Sequence, residues 1–190
     1  MCFTDAKDSE EGEVTTGSQL CKVLINVYEH SCLKSTDYKE TDRVHAATAL
    51  RTLLAISSSA KVTALQLGLV ESVIDHIKQT HTKLNMESLQ PGKANTKKKE
   101  DPLMNDLILT FDLLRNFIFQ NLEAKMACYY SGLHNILHRL WAWCQLDLAV
   151  MSSTLSLLTT YIAHCPTDLV LKPACEAVPG RHKYPFFIPT

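Results

Sequence analysis

The sequence predicts an all-α protein built on a repeated helical unit, and three observations support that. Apolar residues recur at three- and four-residue spacing through most of the chain. No stretch alternates with period two over a length that would make a strand. Finally, the chain resembles itself when slid by 64 residues, the separation of Gly68 and Gly132. Leu50-Arg51 then falls on Leu114-Arg115, Ala60-Lys61 on Ala124-Lys125, and Gly68-Leu69 on Gly132-Leu133. That is six identities, where average composition gives roughly two. Core positions coincide as well: Leu53 with Phe117, Leu54 with Ile118, Val73 with Leu137.

The elements follow in order. Residues 1–17 carry Asp5, Asp8, Glu10, Glu11 and Glu13 against Lys7, and read as a disordered acidic lead-in. Ser18 is the expected N-cap of a first helix bearing Leu20, Val23, Leu24 and Val27. Thr41 or Asp42 caps a second, whose Val44, Ala47, Leu50, Leu53 and Leu54 form one stripe. Ser57 to Ser59 stop it, and Ser59 caps a short helix over 60–67. Gly68 suits the left-handed position just past a helix end. A further helix covers 69–78, with Leu69, Val70, Val73, Ile74 and Ile77 inward. Residues 85–101, with Pro91, Gly92 and Lys97 to Lys99, read as a disordered insertion. Helices then follow over 107–119, 124–131, 133–144 and about 146–163, the helical region closing by 171. Residues 172–190 hold four prolines in an irregular tail that cannot complete another helical unit, and a C-terminus altered from the next repeat is expected.

Composition narrows the function. The chain has 190 residues, 46% hydrophobic and 21% charged, with net charge −1 and a pI near 6.7. So weak a field gives no global pull toward nucleic acid or an anionic membrane. Apolar stretches are interrupted before 18 residues, so no transmembrane helix is expected. The start, MCFTDAKDSEEGE, lacks the basic and apolar regions of a signal peptide, so the seven cysteines are expected to be reduced and mostly buried. A cytosolic or nuclear compartment follows.

Allowing for the insertion of some 20 residues, the repeat approaches the ~40–47 residues of armadillo and HEAT units. VHAATALRTLLAISSSAKVTALQLGLVESVIDHI resembles the third helix of one armadillo repeat followed by the first two of the next. The resemblance covers about residues 42–163, and the glycine between a short and a long helix is its most specific element. It implies a right-handed helical solenoid of about two full repeats with partial units at the ends. It also implies an inner surface lined by third helices, where such proteins hold an extended or helical partner. That stripe would comprise Thr48, Arg51 and Thr52 in one unit and Asp112, Arg115, Asn116 and Phe119 in the next. Importin-like repeats place Trp and Asn four residues apart there. This chain has Thr48 with Thr52 and Asp112 with Asn116, so Asn116 alone matches. An ordinary solvated face is the plain alternative for Arg51 and Arg115.

HAATALRTLLAISSSAKVTALQLGLVESVIDHIKQTHTKL and NDLILTFDLLRNFIFQNLEAKMACYYSGLHNILHRLWAWCQ further resemble part of the rotatin family, very large armadillo-type proteins of centrioles and ciliary basal bodies. This resemblance implies a non-enzymatic scaffold in centriole and cilium organisation, with protein partners and a cytoskeletal location. A transport or signalling adaptor binding an extended peptide on the same face is the alternative.

No catalytic, cofactor or metal site emerges. His134 and His138 share a helix face, with Cys128 and Cys144 as the thiols to complete a site, but no general-base Glu or Cys-x-x-Cys pair supports zinc. His30 with Cys32 and Cys21 lacks an orienting group and an oxyanion donor. Six scattered glycines build no phosphate loop. Lys97 to Lys99 without interleaved aromatics suit a solvated linker better than nucleic acid. Trp143 is open to two readings, an exposed anchor or packing against the neighbouring repeat.

Overall fold

A computed structural model describes residues 16–32, 40–88 and 101–163. These form eight helices with no strand among the described residues. They are α1 (Thr16–Cys32), α2 (Glu40–Ile56), α3 (Ser58–Gln66), α4 (Leu69–Ser88), α5 (Pro102–Ile118), α6 (Leu122–Tyr130), α7 (Leu133–Cys144) and α8 (Leu148–Ile162). The lead-in up to residue 15, residues 89–100 with Lys97 to Lys99, and the tail from 164 lie outside the described residues.

Several boundaries differ from expectation, each for a local reason. Ser18 lies buried inside α1 instead of capping it, and Thr41 and Asp42 sit within the first turn of α2. Ser57, not Ser59, caps α3: its hydroxyl accepts from the Ala60 N–H at 3.2 Å, while the Ser59 hydroxyl bonds Ser57 at 3.1 Å. α4 runs past 78 to Ser88, because Leu84, seven residues beyond Ile77, returns to the buried face. Residues 85–88 are therefore helical. At the other end of that segment Asp101 accepts from the Leu103 N–H at 2.9 Å and Pro102 opens α5. Asp147 caps α8 through the Ala149 and Val150 N–H groups.

The chain turns the same way twice. α3 and α6 are both nine-residue helices, and each is followed by a left-handed glycine, Gly68 at φ +75 and Gly132 at φ +78. In the row α1–α2–α5–α8 each helix packs broadly on the next. α4 packs on α5, and α6 and α7 pack on α4. Fully buried Leu50, Leu54, Ile74, Phe111, Leu114, Phe117 and Leu137 fill the core between them. Each such side chain contributes roughly 1.5–3 kcal/mol by burial. Val23 and Val44, counted with the apolar stripes of the first two helices, are exposed, since each lies off its helix's buried face.

One polar cluster crosses the core. Arg43 of α2 donates to Asp106 of α5 at 2.6 Å, and the His76 ring of α4 meets the same carboxylate at 2.7 Å. The Thr80 hydroxyl reaches it at 3.3 Å. Desolvation pushes the Asp106 pKa up, but the hydrogen bond and charge of His76, with Arg43, outweigh it and hold the carboxyl below its ordinary value. Asp106 is the first charged residue after Asp101, so the cluster ties the start of α5 to two earlier helices. No helix among the described residues is long and apolar enough to cross a membrane.

Candidate functional site

Of the residues expected on the inner stripe, Arg51, Asp112, Arg115 and Asn116 meet where α2 packs on α5. Arg51 Nη1 lies 3.8 Å from Asp112 Oδ2, and Arg115 Nη1 lies 3.5 Å from Asp112 Oδ1. Asp112 thus bridges arginines from two helices. Ser153 of α8 donates to the same carboxylate at 3.1 Å, extending the seam to a third helix. The Asn116 amide donates to the Arg51 carbonyl at 2.9 Å, so Asn116 joins the helices instead of facing outward freely. Thr48 and Thr52 are exposed, with their hydroxyls returned to the backbone of their own helix, to Val44 and Thr48 carbonyls. Phe119, the C-cap of α5, is 54% exposed.

The electrostatics of this face are modest pair by pair. The Arg51 and Arg115 side chains are 39% and 36% exposed, and pairs of this kind contribute about 0–1 kcal/mol each.

Lys61 completes the face and was not foreseen. From α3 its ammonium donates to the Phe119 carbonyl at 2.6 Å and lies 5.6 Å from the ring centroid. Partial desolvation lowers its pKa. A signal was present in the 64-residue self-match, which pairs Lys61 with Lys125. Lys125 does the same work one unit later: buried on α6, it donates to the carbonyl of Ala163, the C-cap of α8. The lysine of α3 thus closes the carbonyl end of α5 and that of α6 the end of α8, where a cation is favoured.

The other sequence candidates are distributed elsewhere. His134 stacks on Tyr129 at 5.8 Å, and Cys144 meets Thr154 at 3.3 Å. Cys128 is fully buried, and no group of three or more His, Cys, Asp or Glu side chains among the described residues is placed to hold a metal ion. The His30 ring donates to the Asn26 carbonyl at 2.8 Å, and Cys21 is buried against the Ala60 carbonyl. Burial pushes the Cys21 thiol up to about 11. It also raises Cys128, with help from the Glu71 charge, and raises Cys144 despite the Thr154 hydrogen bond. Trp143 is half-buried and donates to Asn85 of α4 at 3.2 Å, as the packing alternative expects.

The described residues thus form an all-helical protein whose α2, α5 and α8 share a seam of charged and hydroxyl side chains. No family model and no solved structure matches it. Curated proteins do. Human rotatin is 38% identical over 175 residues, 92% of this chain and 8% of rotatin. Mouse rotatin is 35% identical over 159 residues, 84% of this chain and 7% of its own length. The chain resembles a segment of rotatin and spans under a tenth of the length of these relatives.

Proposed function

We propose that the chain is a segment of an armadillo-like, right-handed solenoid, acting as a non-enzymatic protein–protein interaction scaffold in centriole, basal-body and cilium organisation. The observation that supports this most is the row of α2, α5 and α8. α2 and α5 carry the stripe Thr48, Arg51, Thr52, Asp112, Arg115, Asn116 and Phe119, the two helices being joined by Asp112 and Asn116, and Ser153 of α8 bonds Asp112. A row of parallel-built units, each with a short helix, a left-handed glycine and a long helix, is how a solenoid buries apolar faces that one unit cannot bury alone. The cellular setting rests on the rotatin resemblance. A transport adaptor holding a basic peptide fits less well, because the Asn116 amide is committed to Arg51 and two guanidinium groups flank it.

The test is the location of a tagged copy of the full chain in ciliated cells co-stained for centrioles, beside a Thr48→Tyr variant that crowds the stripe. Centriolar signal that the variant loses supports the reading. Diffuse signal from the unmodified chain contradicts it.

A further inference from the structure

Charge is unevenly distributed along the row of helices. Residues 148–162 of α8 contain no Asp, Glu, Lys or Arg. On α2 and α5, by contrast, Arg51 and Arg115 flank one carboxylate, Asp112, and Lys61 of α3 sits at the Phe119 carbonyl that ends α5. Asp112 is the more covered partner at 20% exposure, against 39% and 36% for the arginine side chains, so the cations are outermost. The other carboxylates of α2, Glu40 and Asp42, lie in its first turn, two turns or more from Arg51. Glu123, just beyond Phe119, forms no ion pair among the described residues. Phe119 stands beside these cations, four residues from Arg115, with over half its surface open. Local positive excess on a chain of net charge −1 is a recognition feature, because the whole-molecule field does not supply it.

We infer that this face takes an acidic peptide segment, its carboxylates on the Arg51 and Arg115 guanidinium forks and an apolar residue against Phe119. The inference rests on the stripe being the partner-binding face. A guanidinium group presents two parallel N–H donors that match a carboxylate in bidentate fashion, and both arginines keep donors open to solvent beside Asp112. A single-stranded nucleic acid fits less well: it follows a continuous basic groove, and the row turns uncharged at α8. There the hydroxyls of Ser156, Thr159 and Thr160 bond their own helix and offer no charge to a phosphate.

Fluorescence anisotropy on the full chain tests this, with a labelled glutamate-rich peptide holding one phenylalanine, its glutamine and lysine counterparts, and oligouridylate. The glutamate peptide is expected to bind and to weaken as salt rises. Arg51→Gln with Arg115→Gln is expected to weaken it roughly tenfold, with helicity and melting temperature unchanged. Equal binding of the glutamate and glutamine peptides, no binding by the glutamate peptide, or tighter binding of oligouridylate through the same arginines overturns the inference. Should the double variant fail to fold, the glutamate–glutamine comparison on the unmodified chain decides. If Thr48→Tyr abolishes centriolar targeting while the glutamate peptide does not bind, the acidic partner is wrong and the face stands. If Thr48→Tyr leaves targeting intact, the reading of the face itself fails.

Discussion

Lys61 and Lys125 show how a repeat writes itself into single side chains. Each carries its ammonium from a nine-residue helix to the C-cap carbonyl of the next long helix in the row. Lys125 is buried, so Lys125→Met strands the Ala163 carbonyl and is expected to cost about 1–3 kcal/mol, readable in a urea titration. Gly68 and Gly132 hold positive φ with nothing closer than 3.6 Å to an added Cβ. Backbone strain alone is therefore expected to make Gly132→Ala about 1–2 kcal/mol less stable, seen as a lowered melting temperature. Asp106 behaves differently, because its energy is electrostatic and internal. Asp106→Asn leaves Arg43 buried beside a neutral amide, and a loss of roughly 3 kcal/mol is expected. The folded Asp106 pKa lies below the unfolded one. Its contribution is thus complete above the unfolded carboxylate pKa and disappears as pH falls through the folded value. Stability measured against pH should drop in that acid range for the unmodified chain, and the drop should be smaller for Asp106→Asn.

At the scale of elements, helix starts depend on short-range chemistry. Asp101 before Pro102, Asn121 before Leu122 and Asp147 before Leu148 each accept first-turn N–H groups. Asp147→Ala should destabilise the chain by about 1 kcal/mol, and proteolysis should then cut first near the start of α8. α3 and α6 are too short to persist alone and are held by tertiary packing, with Ala60, Ala64, Ala124 and Cys128 buried. Cys128 of α6, like Cys21 of α1 and Cys144 of α7, is buried with a raised pKa, so the three thiols are expected to resist alkylation until the chain unfolds. Peptide mapping after iodoacetamide treatment checks this. The long helices were easily legible in apolar periodicity, as with Leu50, Leu53 and Leu54 or Leu133, Ile136, Leu137 and Leu140. Their ends were less so. In α4 the polar run from Lys78 to Lys83 hides a helix that Leu84 continues, and no local signal separates it from a loop.

For the whole molecule, stability depends on each long helix having a neighbour. α5 lies between α2 and α8, so removing α8 opens one side of α5 to water. A chain cut before Asp147 is expected to aggregate or lose cooperative unfolding, which light scattering and calorimetry detect. By itself, the sequence determined the helical class and the left-handed turn at Gly68, with its repeat at Gly132. Helical periodicity, the φ demand of a helix end and the 64-residue self-match are local or one-dimensional signals. Only the tertiary structure decided that Asp112 bridges Arg51 and Arg115, that Lys61 closes α5, and that Arg43, His76 and Asp106 meet in the core. Those partners lie 58, 61, 30 and 63 residues apart where they cross between helices. Which charges pair at such separations is set by how the helices stack, a property of the packed core that periodicity along one helix does not encode.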